Sequence, residues 1–191
     1  MNRLLNRKFI QLQIRTLVLL GQRQRALERV GELIDINAAD PYALATRAHL
    51  LAELGDKAGA QQALQQLVAA QPAQPAGWFN LGYLSEEMGH LEEAESAFRR
   101  ATELDPQLDR AWYGLALSLI RQRRFDEALI ALRKNTELQP MSPYGWYQLA
   151  RVHVDRQEPD EAAKIIRHLR KFEPKVAAQL ERETGLGQAR A

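Results

Sequence analysis

Pro75-Ala76-Gly77-Trp78-Phe79-Asn80-Leu81-Gly82-Tyr83, then Gly89-His90-Leu91-Glu92-Glu93-Ala94, then Phe98, Ala101, Leu104 and Pro106, hold the architecture of this chain in small. Trp78, Leu81, Gly82 and Ser85 fall at i, i+3, i+4 and i+7, a stripe on one face of a helix. Leu91, Ala94, Phe98, Ala101 and Leu104 form the stripe of a second helix. Small residues at Gly82, Ala94 and Ala101 let two backbones approach, where leucine would overpack the crossing. Pro75 suits a first helical turn and Pro106 a stop, because proline lacks an N–H and clashes with the turn before it.

The same signals recur along the chain at a spacing of 34 residues: Ala26, Ala60, Ala94, Ala128 and Ala162; Trp78, Trp112 and Trp146; Pro72, Pro106, Pro140 and Pro174. A fixed period of this length marks stacked supersecondary units. The expected units are 7–40 (degenerate), 41–74, 75–108, 109–142 and 143–176, an array over 1–176. A capping helix near 175–183 and a loose tail from Thr184 to Ala191 follow, and 177–191 is set apart from the array as cap and tail. Pro41, Pro75 and Pro143 read as helix starts, with Asp40 and Ser142 as N-caps. Pro159 suits the first turn of the last second helix, and Pro174 reads as a stop. Asn135 and His153 take positions usually small or apolar, and are expected to be satisfied buried polar groups.

The motif resembles the tetratricopeptide repeat (TPR): Trp, then Leu-Gly, then Ala, Phe, Ala and a closing Pro, here Trp78, Leu81-Gly82, Ala94, Phe98, Ala101 and Pro106. The resemblance implies an all-α, right-handed α-solenoid of about five helix-turn-helix repeats with a C-terminal capping helix. It also implies that the first helices line a concave peptide-binding surface. Some relatives hold a C-terminal carboxylate in a clamp of Lys, Asn, Asn, Lys and Arg over three units. Asn80 and Arg110 match members of it, but Gly114 stands at the clamp arginine and Ala45 and Thr46 match nothing, so a chaperone-tail ligand is not expected.

Composition bounds the chemistry. The 46% apolar share is that of an ordinary globular chain, and without cysteine there is no disulfide, thiol nucleophile or thiolate metal site. Net charge is +2, distributed as a mosaic: 7 basic and 4 acidic groups in 1–40, 2 and 7 in 75–108. A nucleic-acid binder would be basic along one face, and no regular polar triplet recurs for base reading, so no nucleic-acid partner is expected. Twenty Arg against 6 Lys points to a GC-rich bacterial genome. The basic start is followed by Phe9 to Leu20, broken by Gln11, Gln13 and Arg15, which does not read as a secretory signal or a membrane span. A cytoplasmic protein is expected. His49, His90, His153 and His168 form no i, i+4 metal pair, and no phosphate loop or nucleophile elbow is present. No catalysis, cofactor or metal is expected.

The face of each first helix opposite its core stripe carries the candidate peptide-binding residues: Tyr42 and His49; Phe79, Asn80 and Tyr83; Arg110, Tyr113, Gly114 and Leu117; Tyr144, Tyr147, Gln148 and Arg151. Every tyrosine falls there, and tyrosine with Arg and Asn is a recognition composition. The alternative is that these tyrosines pad neighbouring helices. Gly114 is expected to leave a gap in the groove floor for a ligand side chain. Arg110 and Arg151 would draw the acidic part of a ligand, and Glu86 and Glu87 any basic part. At the N-terminus Leu12, Val18 and Leu19 add apolar surface opposite Ile10, Ile14 and Leu17, with Arg3, Arg7, Lys8 and Arg15 around it. Its cover could be a protein partner, a second copy or a peripheral membrane contact. The leading expectation is a non-enzymatic adaptor or scaffold in complex assembly, binding a peptide or helix; the alternative is a membrane-peripheral assembly factor docking through this helix.

Overall fold

A computed structural model describes residues 2–186, with side chains from Leu5 onward; Arg3's side chain and the tail beyond Leu186 lie outside the described residues. Among them there are eleven helices and no strand: α1 Asn2–Leu19, α2 Arg23–Ile36, α3 Pro41–Glu53, α4 Lys57–Ala70, α5 Pro75–Glu87, α6 Leu91–Leu104, α7 Asp109–Arg121, α8 Phe125–Leu138, α9 Pro143–Asp155, α10 Pro159–Leu169 and α11 Pro174–Thr184. Two compact bodies divide them, Met1–His90 with α1 to α5 and Leu91–Ala191 with α6 to α11. In the first, α1 packs on α2, α2 on α3, α3 on α4 and α4 on α5. In the second, α6 packs on α7, α7 on α8, α8 on α9 and α9 on α10, and α11 closes on both α9 and α10.

The five periodic alanines are the structural invariant: Ala26, Ala60, Ala94, Ala128 and Ala162 are all 0% exposed. A second helix can approach its neighbours at this point only because the side chain is a methyl group. The tryptophans have a second role besides packing. Trp78, Trp112 and Trp146 are half-buried, and each donates its indole N–H to the carbonyl of the proline six residues upstream: Pro72 at 2.9 Å, Pro106 at 3.0 Å and Pro140 at 2.8 Å. The proline ends one helix pair, and the tryptophan of the next first helix ties that loop down. In the degenerate first unit Ile10 takes this position and is buried at 4%.

The turn inside each unit is also periodic. Gly21, Gly55 and Gly89 have φ of 69°, 87° and 79°, and at the same interval Arg123 and Gln157 have φ of 59° and 62°. Left-handed backbone crowds the Cβ of an L-residue, so the last two turns carry strain that glycine relieves. Gln157→Gly is expected to stabilise the protein by about 0.5–1 kcal/mol, read as a higher urea midpoint. An unchanged or lower midpoint would mean that the turn tolerates glutamine without strain.

Sequence expectations and structure part at three places. Asp40 caps α3, accepting from the Ala43 N–H at 3.1 Å, but Ser142 makes no side-chain cap bond to α9. Pro174 does not stop a second helix: α10 ends at Leu169 and Pro174 starts α11, which also takes in Thr184, assigned by sequence to the tail. The repeat count is slightly off, while α11, the capping helix expected near 175–183, stands unpaired beyond the pairs.

Buried polar groups are satisfied. Asn135 donates to the Asp109 carbonyl at 2.9 Å and His153 meets Glu158 at 2.6 Å. Glu95 is 9% exposed and takes hydrogen bonds from Gln122, Arg99 and Arg124 at 2.9, 2.9 and 2.6 Å. Burial pushes its carboxyl up, but the bonds from Gln122, Arg99 and Arg124 outweigh it and hold the group below its ordinary value of 4.5. A depressed folded pKa gives stability present above 4.5 and lost as pH falls through the lowered value. Glu95→Gln should lower the melting temperature at neutral pH and shrink the loss on acidification. Parallel curves of wild type and variant between about pH 6 and 3 would show that Glu95 contributes no such linkage.

Candidate functional site

In the body Met1–His90 the candidate residues gather around two concavities. The larger, about 510 Å³, lies between α1 and α3 and is lined by Ile14, Arg15, Val18, Leu19, Tyr42, Ala45, Thr46 and His49. Tyr42 is half-buried, packed on the core cluster of Ile10, Ile14, Val30 and Leu33, with the Arg15 guanidinium 5.9 Å from its ring centre. The smaller, about 240 Å³, lies between α3 and α5, and Asn80 and Tyr83 join His49 around it. Tyr83 is 54% exposed and donates to Glu87 at 3.1 Å, which raises the phenol pKa. Glu87 also meets Lys57 at 3.3 Å, so it is engaged rather than waiting for a basic ligand. Phe79 is half-buried.

In the body Leu91–Ala191 the candidates sit on α7 and α9. Tyr113 and Leu117 are half-buried. Burial raises the Tyr113 pKa, against a hydrogen bond from Gln148. The bond ties this tyrosine to Gln148 of α9. Tyr144 is 69% exposed, and Arg110 is exposed as well. A concavity of about 250 Å³ is lined by Ile120, Tyr147, Gln148, Arg151, Val152 and Asp155. Beside it the Glu183 carboxylate of α11 accepts from the Tyr147 hydroxyl at 2.7 Å and Arg151 Nη1 at 3.0 Å, while Gln179 donates at 2.8 Å. These donors, Gln179 and Tyr147 foremost, hold the Glu183 carboxyl below the usual range. A phenol and a guanidinium thus converge on one carboxylate, that of the chain's own Glu183.

Two site expectations are corrected. Gly114 leaves no gap: a Cβ there would lie 2.5 Å from Cε1 and Cζ of Phe98. The glycine is where the Phe98 ring rests on the α7 backbone. Leu12, Val18 and Leu19 do not form one exposed surface: Val18 turns toward the core, while Leu12 and Leu19 stay exposed. Val18 and Leu19 line the α1–α3 concavity with Tyr42, and Val18 is partly packed on the core. Leu12, seven residues before Leu19 and exposed like it, borders a second concavity with Gln13, Thr16, Leu17, Arg25 and Arg29. Sequence reasoning missed the Glu183 contact and the role of α1 as one wall beside Tyr42. Among the described residues no group of three metal-ligating side chains converges, and no helix is long and apolar enough to cross a membrane.

This all-α arrangement is the solenoid class that the 34-residue period indicates. The tetratricopeptide repeat family model matches residues 45–109, 86–143 and 113–176, together one continuous stretch over more than two thirds of the chain. The chain belongs to the tetratricopeptide repeat family. Among solved structures it is similar to MamA (TM-score 0.82, 16% identity, 95% of this chain and 97% of that one). It is likewise similar to YrrB, described as a TPR protein with an unusual peptide-binding site (TM-score 0.78, 16% identity, 88% of each chain). A thermophilic TPR protein in Thermus thermophilus shares the fold more distantly (TM-score 0.57, 22% identity, 93% and 96%). No curated protein matches it in sequence.

Proposed function

We propose that this protein is a non-enzymatic, cytoplasmic adaptor that holds a peptide or helix of a protein partner on the exposed faces of its first helices, in the assembly of a multiprotein complex. The observation that carries this reading is the Glu183 carboxylate held by Tyr147 and Arg151, beside a Tyr144 that is 69% exposed. Such a site takes a carboxylate with two donors and offers a rigid aromatic anchor next to it, the pairing that dominates protein recognition. An acidic side chain of a ligand would replace Glu183 there. The family and the peptide-binding site named for YrrB agree with this use of the fold.

The test uses partners recovered with the wild-type chain from its native host. Tyr144→Ala is expected to weaken a partner's binding by about 30-fold, some 2 kcal/mol, without moving the melting temperature. Arg151→Glu should abolish binding of an acidic ligand, and Glu183→Gln should strengthen it by freeing the two donors. If all three variants bind as wild type does, this face is not the site.

A further inference from the structure

The first helix is built differently from the later first helices. It runs 18 residues where α3, α5, α7 and α9 each run 13. It is also apolar on two sides. Ile10 and Ile14, exposed by 4% and 0%, anchor it to α2 and α3, while on the other side Leu5, Phe9, Leu12 and Leu19 are exposed by 64%, 59%, 63% and 86%. Leu5, Leu12 and Leu19 stand seven residues apart, with Phe9 four after Leu5 and Thr16 four after Leu12. That is the alternating three-and-four spacing of a seam that packs against one other helix.

The charges that α1 itself places beside the seam have one sign. Residues 2–19 contain no Asp or Glu. Lys8 and Arg15, seven residues apart and exposed, run along one edge at the position that forms flanking ion pairs in a two-helix seam. Arg25 and Arg29 of α2 line the concavity along the other edge with Leu12, Arg25 bonded to Gln22 and Arg29 ion-paired with Glu32, both at 2.6 Å. We infer that this face of α1 docks an amphipathic helix of a partner protein, with a leucine-type seam and Glu or Asp at its flanks. A second copy would bring its own Lys8 and Arg15 against the first pair and gain no flanking attraction. A bilayer surface takes a broad apolar sector. Here the strip is a single row interrupted by Thr16 and bordered by Asn6 and Gln13.

The experiment is fluorescence anisotropy of the full chain with two labelled leucine-heptad peptides of about three heptads, one flanked by Glu and one by Lys. The Glu-flanked peptide is expected to bind at least about tenfold more tightly, with the preference falling as salt rises. Leu12→Gln with Leu19→Gln should remove binding while the thermal melt stays put, because both side chains already lie in water. Lys8→Glu with Arg15→Glu should reverse the preference, and Tyr144→Ala should leave it untouched, which keeps the outcome separate from that of the α7–α9 face. Equal affinity for both peptides, or none for either, overturns the proposal. So does wild-type binding to phosphatidylserine vesicles that exceeds binding to the Glu peptide, or a wild-type dimer in ultracentrifugation that Leu19→Gln dissolves.

Discussion

Phe98→Ala is expected to cost 3–5 kcal/mol, the range for truncating a large buried aromatic to alanine. Phe98 is 2% exposed and heads the fully buried side chains by size. Its ring lies where α6 meets α7, against the backbone of Gly114, which has no side chain to fill the space. A cavity term therefore adds to the lost burial. In an array whose units contact only their neighbours, the damage stays local. Hydrogen exchange should speed up most in α6, α7 and α8, while α1 to α3 keep their protection. A denaturation midpoint within error of wild type would remove the cavity argument; equal acceleration in all eleven helices would remove the nearest-neighbour one.

The features legible in the sequence are those written in one residue type at one spacing. The alanine period marked five positions, and all five are shut from solvent. The tryptophan period was equally plain, but the indole bond to the proline carbonyl depends on loop geometry that the period does not carry. The left-handed turns share the same interval, yet glycine marks only Gly21, Gly55 and Gly89, and Arg123 and Gln157 hide the last two. At Pro174 the residue keeps the period while the backbone does not, because α10 stops at Leu169 and the chain starts α11 early. That shift brings Glu183 onto Tyr147 and Arg151. Of the candidate site residues, those left in water, such as Tyr83 and Tyr144, follow from helical spacing alone. Tyr42 and Tyr113 lie on the same face but lean on a neighbouring helix, and nothing within one helix's pattern says which neighbour is close enough to take them. In α1 the apolar residues surround the axis, so only the packing of α2 and α3 decides that Ile10 and Ile14 face inward while Leu12 and Leu19 stay out.

Gly114→Gln shows where a pattern of one helix misleads. As a face position without a side chain it reads as an open floor, and filling it should block a ligand without harm to the fold. The structure reverses that expectation. Three atoms of the Phe98 ring, Cε1, Cζ and Cε2, lie 2.5, 2.5 and 2.9 Å from the place a Cβ would take. No real Cβ sits so close to a ring, and Phe98 is buried with little room to retreat, so α6 and α7 must part. Overpacking of this kind costs about 1–3 kcal/mol, and the glutamine amide forced toward an apolar ring sets the expected loss at the upper end. Gly114→Ala alone should cost nearly as much, because the first added carbon makes the clash. The decisive measurement is the double variant Gly114→Ala with Phe98→Leu: the smaller, flexible leucine gives way to the new methyl, so the pair should be more stable than the sum of its single changes predicts. Additive losses would mean that the two residues do not meet. A Gly114→Gln protein that melts with the wild type would restore the open floor, and with it the ligand pocket that the sequence alone had placed there.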